Sequence, residues 1–546
     1  MILEKIDGAL LKEMVVNGAI LLDRQKEEVN ALNVFPVPDG DTGINMSMTI
    51  QSAVGEMAKA DVDGVGTMAE ALSRGALKGA RGNSGVILSQ LFRGFYQSMK
   101  DKQVVDAKEF ANALSMGVDM AYKAVMKPRE GTVLTVSRAV AEAAVREAQK
   151  SNDIISIMRK ALDYGKEILL KTPDMLDVLK QAGVVDAGGQ GLLLIYEGYY
   201  SAISGEEPLG DIAEFENTLI TKVASAAAMS EEEITFGYCT EFFIINMFDN
   251  VTDEDIERLK RRYSLIGDSL VVVGDQDMLK VHVHSDMPGK VLQYAMRLGE
   301  LSNIKIDNMR YQHSSLLNED LNKSKAPKKE FGVVAVAAGE GLEVIFKDLG
   351  VDKVVMGGQT MNPSTDDIAA AVREVNANHV FVLPNNPNII LAARQAAEMV
   401  DSEVHVIESK TIPQGITAML EFNPSAGADE VAQAMTGVLG NVSTGQVTYA
   451  VRDSSFDGKE IKQGDIMGIM DGKIAVVGSD VNDVAKELLD AMYSESSEIM
   501  TIYYGQDVKE EQASELYDRA SSQYDGCDVD LQYGGQPLYY YILSVE

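Results

Sequence analysis

Residues 33–46 read NVFPVPDGDTGINM, with two prolines, two aspartates and two glycines between runs of helical periodicity. Pro36 and Pro38 fix φ and remove two amide donors, so the approach is extended and stiff. Asp39 and Asp41 lie two residues apart, which in an extended segment turns both carboxylates to one side. Gly40 and Gly43 let the backbone wrap closely around a ligand. Thr42 or Asn45 is expected to cap the helix that follows, whose first amides attract phosphate. Closely spaced aspartate oxygens suit Mg²⁺ shared with phosphates. An EF-hand fails, because its fifth and twelfth ligand positions fall on Gly43 and Ile50. The remaining alternative is an ordinary Pro-Asp-Gly turn.

Working outward, residues 1–200 read as almost wholly helical, with apolar residues at three- and four-residue spacing. Three further helix starts carry unusual residues. In KGARGNSGVILSQL, Gly79, Gly82 and Gly85 bracket Arg81 and Ser84, a pattern that leaves amides open to an anion and is also common in plain helix starts. KPREGTVLT offers Arg129, Gly131 and Thr132, and VVDAGGQG offers Asp186, Gly188 and Gly189. Four such loops in one bundle argue against coincidence. There is no Walker A loop and no G-x-S-x-G elbow.

The 546 residues are too many for one core. A formal net charge of −34 repels phosphodiester backbones and argues against nucleic-acid binding. Two cysteines, Cys239 and Cys527, do not make a disulfide framework and fit a reducing compartment. No signal peptide and no run of 18 apolar residues is present, so the expectation is a cytoplasmic protein with no integral membrane segment.

The expected architecture is multidomain: an all-α bundle or barrel over 1–203, a small α+β sandwich over 218–315, and an α/β domain over 330–546. Acidic or polar linkers at 203–217 and 316–330 separate them. In the last domain Gly339-Glu340-Gly341 follows a strand, but the third glycine of a dinucleotide fingerprint is missing. The closing YGGQPLYYYILSVE reads either as an interface strand or as an aromatic core strand.

In the middle domain, KVHVHSD places His282 and His284 at alternate positions of a strand, on one face. With Cys239 at the start of another strand they have the inventory of a zinc site with one open position. The spacing is not a standard one, and a zinc site, a catalytic role and a purely structural role all stay open.

DGDTGINM, GARGNSG, EGTVLT and VVDAGGQG together resemble the L-subunit of dihydroxyacetone kinases, and the likeness spans the N-terminal 200 residues. NVFPVPDGDTG resembles the subgroup joined to a DegV-like C-terminal domain, so the whole chain resembles the catalytic ATP-binding subunits of bacterial fatty-acid kinases. The resemblance implies a helical barrel holding ATP and two Mg²⁺, with Asp39 and Asp41 as catalytic metal ligands. It places Thr42, Gly43, Asn45, Gly79, Ser84, Gly85, Thr132, Asp186 and Gly188 around the nucleotide. Where dihydroxyacetone kinases carry a third aspartate, this sequence has Asn33, either a neutral oxygen ligand or a brace. The implied reaction is ATP-dependent phosphorylation of a fatty acid held by a separate DegV-type carrier, giving an acyl phosphate. The first strand of the DegV-like domain is followed by AAGEG rather than the Asp-Ser of lipid carriers, which implies carrier docking or a homodimer contact in place of lipid binding. A small-polyol kinase and a non-catalytic nucleotide-binding scaffold are the competing readings.

Overall fold

A computed structural model describes residues 2–33, 40–62, 64–205, 238–245, 247–248, 251–263, 265–274, 278–308, 328–358, 362–456, 459–524 and 526–546. Two compact units result: Met1–Ile220 together with Lys328–Glu546, and Thr221–Pro327.

The N-terminal region is built from α1 (Gly8–Asn30), α2 (Thr42–Lys59), α3 (Val65–Gly79), α4 (Gly82–Met99), α5 (Ala107–Ala124), α6 (Val133–Ala148), α7 (Ile154–Leu170), α8 (Thr172–Met175), α9 (Asp177–Ala182) and α10 (Ala187–Ser204). Polar caps set several starts. Asp7 accepts from the amide of Leu10 at 2.9 Å, and Asp106 forms a reciprocal capping box with Glu109. Helix α1 is buried through Met14–Ile20 and crosses α10 where two glycines meet. A Cβ on Gly198 would fall 2.4 Å from the Gly18 nitrogen, so only glycine allows the approach. Two strands interrupt the expected all-helical region: β1 (Lys5–Asp7) pairs antiparallel with β2 (Val104–Asp106). Three residues each are too few to show a period of two.

The second unit carries β3 (Tyr238–Ile245), α11 (Asp253–Tyr263), β4 (Gly267–Gly274), β5 (Met278–Ser285), α12 (Pro288–Ala295) and β6 (Glu300–Asn308). Its sheet runs β4-β5-β3-β6, all antiparallel, and packs Phe242, Ile244, Val281 and Val283 against Leu259, Tyr263 and Val291. This is the α+β sandwich expected from the switch in hydrophobic period.

The C-terminal region begins with β7 (Lys329–Ala337), α13 (Glu340–Asp348), β8 (Lys353–Met356), α14 (Thr365–Val375), β9 (Ala377–Leu383), α15 (Ile390–Ala397), β10 (Glu403–Val406), α16 (Ile412–Leu420) and α17 (Ala428–Gly437). Its sheet, β10-β9-β7-β8, is parallel throughout, as βαβ alternation dictates. Then come β11 (Ser443–Tyr449), β12 (Ser454–Phe456), β13 (Lys459–Ile461), β14 (Ile466–Met470), β15 (Lys473–Gly478), α18 (Val481–Met492), β16 (Ile499–Tyr504), α19 (Glu510–Gln523), β17 (Asp528–Tyr533) and β18 (Tyr541–Val545). The second sheet runs β15-β14-β11-β18-β16-β17. Strand β18 is buried along its length between β11 and β16, so YYYILSV is a core strand and the interface reading is corrected.

Helical and α/β regions share one unit through the turn between α3 and α4. Ala80 and Val86 lie in the same apolar cluster as Ile368, Ala371 and Ala392. The Ala80 carbonyl accepts from the amide of Thr365 at 3.0 Å, and Gln90 bonds Gln395 at 2.7 Å inside the junction.

Candidate functional site

Helix α2 begins at Thr42, with Asp41 at its N-cap position but making no side-chain cap bond. The expected capping by Thr42 or Asn45 is therefore corrected. Thr42 is already helical and its hydroxyl donates to Asn33 Oδ1 at 2.8 Å. The cap comes from the end of α1, where Asn30 Oδ1 accepts from the amides of Gly43 (2.8 Å) and Ile44 (3.3 Å). Two of the amides expected to attract phosphate are thus already satisfied. Asn33 ties Thr42 to the end of α1 through both ends of its amide, since its Nδ2 also donates to the Asn30 carbonyl at 2.8 Å. Asp41 is buried, faces a cavity and accepts a hydrogen bond from Asn362 Nδ2 of the α/β region. Asp39 lies outside the described residues.

The other three helix starts face the same cavity. Ser84 lies in the first turn of α4. Thr132 is the N-cap position of α6, its hydroxyl turned back to the Arg129 carbonyl at 2.8 Å. Asp186 caps α10 by accepting from the Gly189 amide at 2.6 Å, and Gly188 follows it on the cavity wall. Gly43, Gly79 and Gly85 do not line the cavity. A Cβ on them would fall 2.1 Å from the Lys26 carbonyl, 2.2 Å from Ser52 Cβ and 2.4 Å from Thr49 Oγ1. These glycines let helices touch. Arg81 also turns away from the cavity residues of its helix start, donating to the Asn362 carbonyl at 2.7 Å and lying 3.5 Å from the Asp367 carboxylate.

The cavity measures about 1120 Å³. Its far wall, which sequence reasoning missed, comes from the α/β region: in part from the carboxyl ends of the parallel strands, Asn386–Asn388 after β9 and Lys410 and Thr411 after β10, and in part from the second sheet, through Ser443, Gln446 and Asp471. Open parallel sheets present ligand crevices at the carboxyl edge. The Asn-Pro-rich stretch PNNPN directly after β9 was the available signal. Asn385 anchors its loop rigidly, donating to the Val336 carbonyl at 2.9 Å and accepting from Ser409 Oγ at 2.7 Å. Asn362 is 1 % exposed; its Nδ2 bonds the Asp41 carboxylate and its Oδ1 has no hydrogen-bond partner among the described residues.

Electrostatics single out Asp186. It lines the cavity and is partly buried, and burial pushes its pKa up to about 6 against the opposing amides of Gly189 and Val133. The folded chain therefore binds this proton more tightly than the unfolded one. The stability it contributes is fully present below about pH 4 and is lost as pH rises through 6. Asp186→Asn keeps a capping oxygen and removes the charge. It is expected to raise the denaturation midpoint at pH 8 and to leave it unchanged near pH 4, in paired urea titrations.

Arg452 joins the site from the β11–β12 connection, its guanidinium donating to the carbonyls of Ala31 and Asn33 at the end of α1. A cation there satisfies orphan carbonyls and complements the helix dipole. Arg452→Ala is expected to cost about 1.5–3 kcal/mol, the worth of hydrogen bonds from a charged donor. Arg452→Lys should recover part of it, as read from chemical denaturation.

In the second unit the strand register sets Cys239 opposite His284 and Glu241 opposite His282. The backbone thus brings the three positions of the expected zinc inventory onto neighbouring strands.

Three family models match in chain order: the DAK2 domain over 36–201, the FakA-like middle domain of fatty acid kinases over 235–316, and the FakA-like C-terminal domain of fatty acid kinases over 332–546. Protein YloV of Bacillus subtilis (strain 168) is 45% identical over 558 residues, covering 100% of both chains. A Staphylococcus aureus (strain USA300) protein is 40% identical over 548 residues, again covering 100% of both. The dihydroxyacetone kinase of C. freundii is similar at 14% identity over 41% of this chain and 49% of its own, with a TM-score of 0.31, a likeness too slight to argue from. Kinase-family domains of this kind make the chain a phosphotransferase. Matched in all three regions, and along its whole length by relatives of 40 and 45% identity, it belongs to the FakA-like family of fatty acid kinase proteins.

Proposed function

We propose that this chain is the ATP-dependent subunit of a fatty-acid kinase, phosphorylating the carboxylate of a fatty acid presented by a separate DegV-type carrier. The observation that carries the reading is the convergence of four helix starts, at Asp41, Thr42 and Asn45, at Ser84, at Thr132 and at Asp186–Gly188, on one cavity. Helix N-termini favour phosphate oxygens. The residues present fit a Mg²⁺-nucleotide: the buried Asp41 carboxylate on the cavity wall offers hard oxygen ligands, and Asn362 Nδ2 holds it in place. In this reading Asp41, with Asp39, holds Mg²⁺, which when bound neutralises charge on the β- and γ-phosphates. Ser84, Thr132 and the α10 start orient the phosphate chain, while Asn33 and Asn30 keep the Asp41 loop from rearranging. A fatty-acid carboxylate is ionised at neutral pH, so the acceptor needs no general base. Its oxygen attacks the γ-phosphorus, the bond to the β-bridging oxygen breaks, and ADP leaves with acyl phosphate as the other product.

The test is ATP consumption with a long-chain fatty acid, with and without a DegV-type carrier. Carrier-dependent turnover is the expected result. Turnover that ignores the carrier overturns the carrier role, turnover with dihydroxyacetone alone favours the polyol kinase, and no turnover with any acceptor favours a scaffold. For Cys239, His282 and His284 we propose zinc ligation, motivated by their register on neighbouring strands. Full metal content in a His284→Ala variant would return the pair to an ordinary strand.

A further inference from the structure

Away from the cavity, the parallel sheet carries a second group of ligating side chains. Strand β10 is the sheet's edge and pairs in register with β9, setting Glu403 beside His379 and His405 beside Phe381. His405 Nε2 lies 3.4 Å from His379 Nδ1. The two Glu403 oxygens divide between the rings, Oε2 at 3.5 Å from His379 Nδ1 and Oε1 at 3.9 Å from His405 Nε2.

These separations are long for direct hydrogen bonds, which cluster near about 2.9 Å. They match a different geometry. Ligand atoms about 2.0–2.1 Å from a tetrahedral ion sit about 3.3 Å from one another. We propose that His379, His405 and Glu403 form a binding site for a divalent transition-metal ion of the zinc class, with its fourth position open to solvent.

The donors are the right kind, two imidazoles and one carboxylate, a set that suits zinc and its neighbours better than Mg²⁺ or Ca²⁺. One carboxylate and two neutral rings leave a net single positive charge on the occupied site. A hydrogen held between the two facing nitrogens moves to its ring's other nitrogen when the ion takes both lone pairs. The rings are also held in place before any ion arrives. His405 stacks on Phe381 with centroids 5.0 Å apart and planes 20° apart, and His379 lies 5.7 Å from the Phe331 ring. On the outer side Glu403 is 64 % exposed, so an ion has an entry path and Glu403 can close on it without disturbing the core. Bound there, it would tie the edge strand to β9.

The test uses the full chain carrying Cys239→Ala and His284→Ala, so that the second unit contributes no ion. Zn²⁺ binding is measured by calorimetry, and Co²⁺ replaces it for absorption spectra. The expected result is one equivalent of Zn²⁺, with visible Co²⁺ bands and no thiolate charge-transfer band. His379→Ala/His405→Ala should abolish both signals. Because that double change removes rings from an aromatic cluster, Glu403→Gln serves as a surface variant that spares the core, and it should weaken Zn²⁺ binding by at least about tenfold. No bound equivalent in the parent chain overturns the proposal, as does binding that neither variant reduces.

Discussion

Asp41→Asn is expected to lower phosphoryl transfer by a factor on the order of 10² to 10³ or more, the usual loss when a fixed electrostatic group is removed from a transfer site. The substitution is nearly isosteric, and an amide oxygen at position 41 still accepts from Asn362 Nδ2, so the junction between the helical and α/β regions persists. What disappears is the negative charge the proposed Mg²⁺ site depends on. Turnover measured with carrier-bound fatty acid should collapse while the circular dichroism spectrum and denaturation midpoint stay at the parent values. Near-normal turnover would remove Asp41 from the metal site. Asp41→Ala is the informative contrast. It takes the acceptor from Asn362 Nδ2, on a side chain whose Oδ1 already lacks a partner among the described residues, at about 1–3 kcal/mol. Loss of activity in both variants, with loss of stability only in the alanine, separates the charge from the hydrogen bond.

The half of this site built by the helical region was legible because each helix start carries residues whose chemistry is local. VVDAGGQG reads as a helix start with Asp186 at its head, and α10 begins there, capped by Asp186. The cap on α2 was not legible, because it is tertiary: Asn30, at the end of α1, accepts from Gly43 and Ile44, and nothing in DGDTG marks a side chain 13 or 14 residues earlier. Glycines misled for a related reason. A glycine that admits a phosphate and one that admits a neighbouring helix look the same in sequence, and Gly43, Gly79 and Gly85 are of the second kind. The α/β half was hidden by distance along the chain: Asn362, which bonds Asp41, lies 321 positions from it. The β-α alternation after residue 330 was plain, but which edge of that sheet faces the bundle is decided by the fit of Ala80 and Val86 against α14 and α15, not by any periodicity. His379, Glu403 and His405 went unread because they fall on two strands 24 or more residues apart and only the parallel register joins them.

Gly43→Ala tests whether that packing holds the site in shape. Helix propensity alone favours alanine there by about 0.8–1 kcal/mol, since position 43 lies within α2. Contact predicts the opposite. The new methyl would sit 2.1 Å from the Lys26 carbonyl oxygen and 3.0 Å from Asn30 Oδ1, and neither the backbone of α1 nor that of α2 has a flexible end that can yield. The first turn of α2 must then move off α1, breaking the 2.8 Å bond from the Gly43 amide to Asn30 and displacing Asp41 with it. A net loss of about 3 kcal/mol is expected, at the upper end of overpacking costs, accompanied by reduced turnover. Gly183→Ala is the control. Gly183 ends α9 with φ at +65°, and a Cβ there meets nothing within 4 Å, so only the left-handed backbone resists, at about 1–2 kcal/mol. Urea denaturation should therefore rank Gly43→Ala below Gly183→Ala in stability, and only Gly43→Ala should also lose activity. A Gly43→Ala chain as stable as the parent would mean that α1 and α2 part easily, and that the Asp41 loop is fixed by Asn33 and Arg452 rather than by the helix contact beneath it.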